Sequence, residues 1–174
     1  MNILEKDLEE IIESTSNKEL RKRGLYVYGD CFRQLRIGNY GIADLVYYNK
    51  AYDYESDEFG GIKIAPYLQI NICELKKEKA GISAFLQAVR YAKGIKSYLN
   101  LRGVNAFKIQ LTIIAPTIDI QSDYVFLSDL ISGNGYSFIT RVNNYSVKYM
   151  FNGIQFNLEK NYSLTNHGFN IKEK

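Results

Sequence analysis

The chain has 174 residues, of which 46% are hydrophobic and 24% are charged, as is ordinary for one globular domain. No segment approaches the roughly 18 consecutive apolar residues of a transmembrane helix, and the acidic N-terminus lacks the apolar core of a secretion signal. We therefore expect a cytoplasmic protein that does not enter a membrane. Two cysteines, Cys31 and Cys73, are too few for a disulfide framework, which predicts reduced core residues.

The net charge of +3 is low for a protein that coats DNA, because affinity for phosphates grows with each cation engaged. The stretch 76–108 is more basic than the rest and contains a single acid, Glu78. Solvated surface charge is the simplest interpretation of this stretch. A functional role for this stretch is worth considering only if an acidic site lies beside it.

The N-terminal segment has apolar residues at helical spacing, which predicts a helix over residues 3–23. The polar run Ser14–Asn17 could interrupt this helix. Cations followed by Gly24 are typical of a helix C-terminus, where glycine adopts the left-handed conformation. A helix that ends at this glycine is therefore expected to precede the first strand.

Two strands are expected next, over residues 25–35 and 41–48, joined by a hairpin turn at Gly38 and Asn39. The following residues, 49–62, are rich in Asp, Glu, Tyr and Gly. We interpret them as an exposed connection that leads to a third strand.

The third strand, over residues 65–76, is the clearest in the sequence, and a helix over 80–100 and a buried strand over 107–115 follow it. The remainder, 123–174, has short alternating runs and a hairpin signal at Asn152-Gly153, which predicts a β-rich tail. The order helix, three strands, helix, strand indicates an α/β core.

Two of the predicted strands place an acid among apolar residues on one face. Successive strand residues point to opposite faces, so Glu74 and Lys76 extend the apolar side of the third strand. Asp44 lies between Ile42 and Val46 on the second strand in the same way. Isolated charges are costly to bury, so we expect a cleft at the sheet edge and a compensating partner. If these strands pair, the two carboxylates converge.

Two converging carboxylates beside a lysine suit a hard divalent cation, Mg²⁺ or Mn²⁺, which prefers oxygen ligands. Asp44 and Glu74 would bind it, and the backbone carbonyl of Leu75 could add a ligand. A bound cation lowers the pKa of water and neutralises charge that develops on a phosphate. Lys76 would reach the attacking water or a phosphate oxygen.

The run Gly41-Ile-Ala-Asp44-Leu-Val, followed by Ile72-Cys-Glu74-Leu-Lys76, resembles the PD-(D/E)xK phosphodiesterase superfamily. That superfamily includes restriction enzymes, RecB-like nucleases and archaeal Holliday-junction resolvases. The resemblance covers about residues 3–116. Ala43 stands where the motif usually has proline, which removes no ligand.

Two helical segments extend the resemblance. The first contains Glu5-Lys-Asp-Leu-Glu9 and resembles the helix whose glutamate joins the metal site in many members. Glu5 and Glu9 lie one turn apart and face the same way, so either could bind the metal directly or through water. A solvated helix face is the alternative for both. The second contains Gln87-Ala-Val-Arg-Tyr91, which is similar to the Gln-xxx-Tyr motif of the RecB-like branch.

The resemblance implies a restriction-endonuclease-like fold: a helix, a three-strand antiparallel meander, a helix and a strand. In a single-domain chain this core would occupy residues 1–116, with a β-rich extension at 117–174. The implied activity is hydrolysis of phosphodiester bonds, with DNA a commoner substrate than RNA. The resemblance also makes a homodimer plausible.

The resemblance also implies roles for particular residues. Asp44, Glu74, Lys76 and Gln87 would be catalytic, with Gln87 positioning the scissile phosphate or the lysine. Tyr91 would support its helix. The basic residues beside the site would guide the nucleic-acid backbone, and they are Lys77, Lys79, Arg90 and Lys93.

The same residues also allow simpler interpretations. Glu74 and Lys76 could form an ion pair at a strand end, and Gln87 and Tyr91 could only hydrogen-bond each other. The alternative function is a non-catalytic module on the same fold that binds nucleic acid or protein, and the tail could be a partner-binding element. His167 is the only histidine and is assigned no role. No phosphate-binding glycine motif supports nucleotide hydrolysis.

Overall fold

The computed structural model describes residues 5–56, 60–120, 122–131 and 138–159, so His167 and the rest of 160–174 lie outside the described residues. The described helices are α1 Glu5–Ser14, α2 Asn17–Lys22, α3 Ile82–Leu101 and α4 Ser122–Ile131. The strands are β1 Asp30–Arg36, β2 Ile42–Ser56, β3 Ile62–Leu75, β4 Lys79–Ala80, β5 Phe107–Ala115, β6 Thr117–Ile118, β7 Ile139–Met150 and β8 Gly153–Glu159.

Six strands form one mixed sheet in the order β1-β2-β3-β5-β7-β8. Neighbours are antiparallel across β1, β2 and β3 and again across β7 and β8, whereas β5 is parallel to both β3 and β7. Parallel neighbours need a long crossover, and α3 and α4 lie in the two crossovers here. The chain is therefore an α/β protein, as the sequence predicts, and its C-terminal hairpin belongs to the same sheet as the N-terminal strands.

Each face of the sheet has its own hydrophobic core. On one face, α3 and α4 cover apolar residues of β2, β3, β5 and β7, and α3 contributes small side chains such as Ala84, Ala88 and Ala92. On the other face, α1 and α2 cover a second core through Leu8, Ile12 and other residues. In the described part of the chain, no helix has the length and hydrophobicity needed to cross a membrane.

The N-terminal predictions hold in outline. The helix breaks between α1 and α2, and Gly24 follows α2 with a left-handed φ of 94°. A Cβ at Gly24 would lie 2.1 Å from the carbonyl oxygen of Phe156, so the close approach of β8 also requires glycine. The first strand begins at Asp30 rather than at residue 25, because the chain turns at Gly29 with a φ of 87°.

The exposed connection expected over residues 49–62 is wrong. β2 and β3 remain paired as far as Ser56 opposite Ile62. Apolar and aromatic side chains face one another across this part of the ladder, with Tyr54 opposite Ile64, and such cross-strand pairs stabilise a hairpin. Asp53 and Glu55, two of the acidic residues that suggested a loop, lie within the paired part of β2.

Two predictions after the third strand also need correction. Ala80 belongs to the short strand β4, and α3 begins at Ile82. The tail is not uniformly β-rich, because Ser122–Ile131 forms α4, whose Tyr124 is buried in the core. The expected C-terminal hairpin is confirmed, with Met150 paired to Gly153 at its turn.

Candidate metal and catalytic centre

The candidate site lies where β2 begins and β3 ends. The β2–β3 ladder ends with Leu45 paired to Cys73, and Asp44 and Glu74 are the next residues of the two strands. The charge of Asp44 raises the pKa of Glu74, so the two carboxylates lie near each other. Both carboxylates belong to neighbouring strands of the sheet interior, and both are buried.

Asp44 is only 8% exposed and is held by the backbone of β3. Its Oδ2 accepts a hydrogen bond of 2.8 Å from the backbone N–H of Leu75. Burial raises the pKa of Asp44 to about 6, and the charges of Glu9 and Glu5 also raise it, whereas the bond from Leu75 and the charge of Lys76 lower it. Leu75 thus contributes to the site through its N–H, in addition to the carbonyl that the sequence suggested as a ligand.

Glu74 is completely buried, and its two oxygens differ in their surroundings. Oε1 accepts a hydrogen bond of 2.6 Å from Nζ of Lys76. Oε2 has no hydrogen-bond partner among the described residues. Burial and the nearby charge of Asp44 raise the pKa of Glu74 to about 7, although Lys76 opposes the shift. One carboxylate oxygen is therefore desolvated without compensation.

Lys76 follows β3 and is partly exposed, and it contacts the completely buried Glu74. The strands that hold the site, β2 and β3, lie in the sheet interior and not at the sheet edge that the sequence predicts. Burial acts to lower the pKa of Lys76, but the hydrogen bond to Glu74 and the negative charges of Glu74, Glu5 and Asp44 together outweigh burial and leave the pKa above the usual value. The ammonium therefore stays charged at neutral pH. The simple ion pair considered from the sequence is present, but it satisfies only one oxygen of Glu74.

Glu5 and Glu9 of α1 meet Asp44 at this end of the sheet. One carboxylate oxygen from each of the three lies within 4.8 Å of the others. Glu9 is buried, and Glu5 is half-buried. Three carboxylate oxygens this close together repel one another unless a cation or protons neutralise them. The structure therefore brings both helical acids to the site rather than only one.

Two residues of β1 that the sequence did not indicate hold Glu9. Its Oε2 accepts hydrogen bonds from Nε of Arg33 at 3.2 Å and from Nε2 of Gln34 at 2.8 Å. Gln34 has a φ of 52° in the middle of a strand. Arg33 belongs to a basic run of a kind that is common on protein surfaces, and no sequence signal marks Gln34.

The Gln-xxx-Tyr pair lies on α3, close to the start of β2. Nε2 of Gln87 donates a hydrogen bond of 2.7 Å to the hydroxyl of Tyr91, which is buried in the core. A Cβ at Gly41 would lie 2.9 Å from Cε1 of Tyr91, so this glycine permits close packing three residues before Asp44. Within the described residues, no hydrogen bond joins Gln87 to Lys76. Tyr91 is therefore placed to support its helix, and the side-chain amide of Gln87 is hydrogen-bonded to Tyr91.

The predicted nucleic-acid-binding residues fall into two groups. Lys77 follows β3 and is exposed, whereas Lys79 begins β4 and forms an ion pair of 2.6 Å with Asp119. Arg90 and Lys93 are exposed on α3, where they line an open groove of about 530 Å³ together with Lys96.

No protein-family model matches the chain, and comparisons with curated proteins and with solved structures give no significant match. What the chain does must therefore be inferred from the chemistry of the site itself. The site consists of a cluster of three carboxylates, those of Glu5, Glu9 and Asp44. Beside it lies Glu74, which is paired with Lys76 through one oxygen and has no partner among the described residues at the other.

Proposed function

We propose that this chain is a Mg²⁺- or Mn²⁺-dependent nuclease that hydrolyses phosphodiester bonds of nucleic acid, with DNA as the preferred substrate. The observation that supports this most directly is the buried, unpartnered Oε2 of Glu74 beside Asp44. A buried acceptor without a donor costs free energy that folding alone does not recover. A cation bound between the two carboxylates would remove this cost.

The residues present fit a hard divalent cation. The three clustered carboxylates, Asp44, Glu5 and Glu9, are candidate ligands. Glu74, which the charge of Asp44 influences, and the carbonyl of Leu75 would add further oxygens. Sulfur and imidazole ligands, which would favour zinc or copper, are absent from this set. Lys76 and Arg33 supply two positive charges to this set of four carboxylates, which leaves negative charge that a divalent ion would neutralise.

Each residue of the site would have its own role in the hydrolysis. A bound Mg²⁺ would supply a water of lowered pKa and would neutralise charge on the phosphate. Lys76, charged and partly exposed, would orient that water or bind a phosphate oxygen. The hydrogen bond from Leu75 keeps Asp44 in one orientation. Tyr91 and Gln87 would support the α3 side of the cleft, with Gln87 reaching the phosphate only after it leaves Tyr91.

Three cations of α3 line a groove whose other lining residues are apolar, and these cations support a polyanionic substrate. Arg90, Lys93 and Lys96 recur at every third position and line the same groove. The helix brings Arg90 near Gly41, and hence near the start of β2 and Asp44. Cations in this arrangement bind successive phosphates without regard to sequence.

The order of elements also supports the restriction-endonuclease-like core that the resemblance implies. A helix, an antiparallel meander of β1, β2 and β3, the helix α3 and the strand β5 follow one another in the chain. The proposal includes the cytoplasmic location expected from the sequence. In this proposal, β7 and β8 are additions to the sheet of the core.

The decisive experiment is cleavage of duplex, single-stranded and branched DNA and of RNA, with Mg²⁺, with Mn²⁺ and with EDTA. Wild type, Asp44→Asn and Lys76→Ala are compared. We expect metal-dependent cleavage by wild type and a loss of more than about 100-fold in both variants, because even partners of metal ligands typically contribute about 10–100-fold.

Matched controls are Asp129→Asn and Lys63→Ala, which make the same chemical changes at exposed positions outside the site. Both are expected to cleave like wild type. Absence of cleavage by folded wild type on every substrate would contradict the proposal. Binding of nucleic acid or a protein without cleavage would then favour the non-catalytic module.

A further inference from the structure

The contacts of Glu9 extend the proposed function, on which the following inference rests. Both donors to Glu9, from Arg33 and Gln34, reach the same oxygen, Oε2. Glu9 is 2% exposed, so water does not compete freely for this oxygen. With Oε2 taken by two donors, the other oxygen is the one that remains to join the carboxylates of Glu5 and Asp44.

Gln34 donates its hydrogen bond to Glu9 from an unfavourable backbone conformation. It is the one described residue other than glycine with a positive φ, at 52°. Left-handed backbone is unfavourable for residues with a Cβ, and non-glycine residues persist there mainly where the surrounding structure requires them. The register is regular on both sides, with Arg33 paired to Leu45 and Leu35 to Ala43, so the distortion is confined to Gln34.

We propose that Gln34 is a positioning residue for the metal centre: its amide, together with Arg33, fixes Glu9 so that a single carboxylate oxygen faces the cation. Gln34 has no charge, so its removal leaves the net charge of the site unchanged. A change in metal affinity on its removal therefore reports the orientation of Glu9. Partners that orient a metal ligand typically contribute about 10–100-fold to metal affinity.

The test compares Gln34→Ala with Gln34→Gly in the full chain. Both remove the amide, but alanine keeps the unfavourable left-handed backbone, whereas glycine adopts it freely. We expect the glycine variant to have the higher melting temperature. We expect both variants to bind Mn²⁺ about 10–100-fold more weakly than wild type, measured by the paramagnetic signal of free Mn²⁺.

A second readout separates positioning from catalysis. Cleavage by both variants should need a higher Mg²⁺ concentration and should approach the wild-type rate at saturation. The control is Arg36→Ala, an exposed position on β1 that is expected to bind Mn²⁺ like wild type.

The outcomes are distinguishable. Wild-type Mn²⁺ affinity in both variants would overturn the inference and leave the proposed function intact. Weak binding by the alanine variant alone would assign the effect to backbone strain and would also overturn it. No Mn²⁺ binding by wild type would overturn both the inference and the proposed function.

Discussion

The two ends of the β2–β3 hairpin differ in which side chains are exposed to water: acids are buried at one end and apolar side chains are exposed at the other. At the open end, Glu74 is completely buried and Asp44 nearly so, although both are acids. At the end near the turn, the hairpin extends past its neighbours, because β1 pairs only as far as Tyr48 and β5 only as far as Leu68. There the apolar side chains are exposed, with Tyr54 at 70% and Ile62 at 72%. We refer to residues 50–56 and 62–67 as the arm.

This contrast shows that the hydrophobicity of a side chain does not by itself determine whether that residue of the hairpin is buried. Cross-strand pairing and backbone hydrogen bonds stabilise the arm without burying it. The open end is buried because α1 and α3 cover the two faces of the sheet there. Its acids are therefore buried at an electrostatic cost, which supports the proposed catalytic site.

The largest effect is expected at the buried end, from Glu74→Gln. The substitution keeps the shape of the side chain but removes the charge that a cation needs, so cleavage should fall by more than about 100-fold. The metal-free variant should be more stable than wild type at pH 8, by about 1–3 kcal/mol, because glutamine avoids burying a charge. Cleavage assays and urea unfolding in EDTA measure the two effects.

Opposite changes in activity and stability would distinguish this residue from an ordinary core position. A variant that was both inactive and less stable at pH 8 would mean that Glu74 serves the fold. Ile72→Ala, two residues earlier on the same face, is the matched comparison and should lower stability through a cavity.

A smaller effect is expected from pH on the metal-free protein. The pKa values of about 6 for Asp44 and about 7 for Glu74 lie above those of the unfolded chain, so the folded state holds protons that the unfolded state releases. This contribution to stability is complete below the unfolded pKa values and is lost as pH rises through the folded ones. The melting temperature in EDTA should therefore fall between pH 5 and pH 8.

The double variant Asp44→Asn with Glu74→Gln cannot titrate at these positions and should give a flatter pH profile. A wild-type melting temperature that rose over the same range would show that the two acids are already ionised and compensated in the metal-free protein.

The smallest effect is expected at the arm. Tyr54→Ser with Ile64→Ser removes a cross-strand pair whose members are already exposed, so the free energy of unfolding should change by no more than about 1 kcal/mol. Cleavage should be unchanged, because the arm lies at the far end of the ladder from Asp44. Loss of cleavage in a stable variant would instead place the substrate on the arm.

The sequence predicted the parts of the fold that depend on local periodicity and turns. Alternation located the β3 residues that face α3, and Gly24 and Asn152-Gly153 located a helix end and a hairpin. The arm was not predicted because its residues have the composition of a loop. Its strand pairing depends on the partner strand, which local composition does not show. α4 was missed because its neighbours are rich in strand-forming and turn-forming residues.

The site was predictable where residue type and spacing suffice. Asp44, Glu74 and Lys76 are suggested by strand alternation. The structure clusters Asp44 with Glu5 and Glu9 and pairs Glu74 with Lys76. Gln34 could not be predicted, because its importance depends on a left-handed backbone and on a helix more than twenty residues away. The partner of Gln87 was one of two alternatives, and geometry favours Tyr91.

The distortion at Gln34 also affects how this molecule meets its neighbours. β1 is an edge of the sheet, and a regular edge strand offers a row of unpaired N–H and C=O groups on which another chain can add. The left-handed residue interrupts that row between Arg33 and Leu35 and leaves two short runs. An incoming strand could pair with only one of them at a time. The bend that turns an amide toward Glu9 therefore also protects this edge against aggregation.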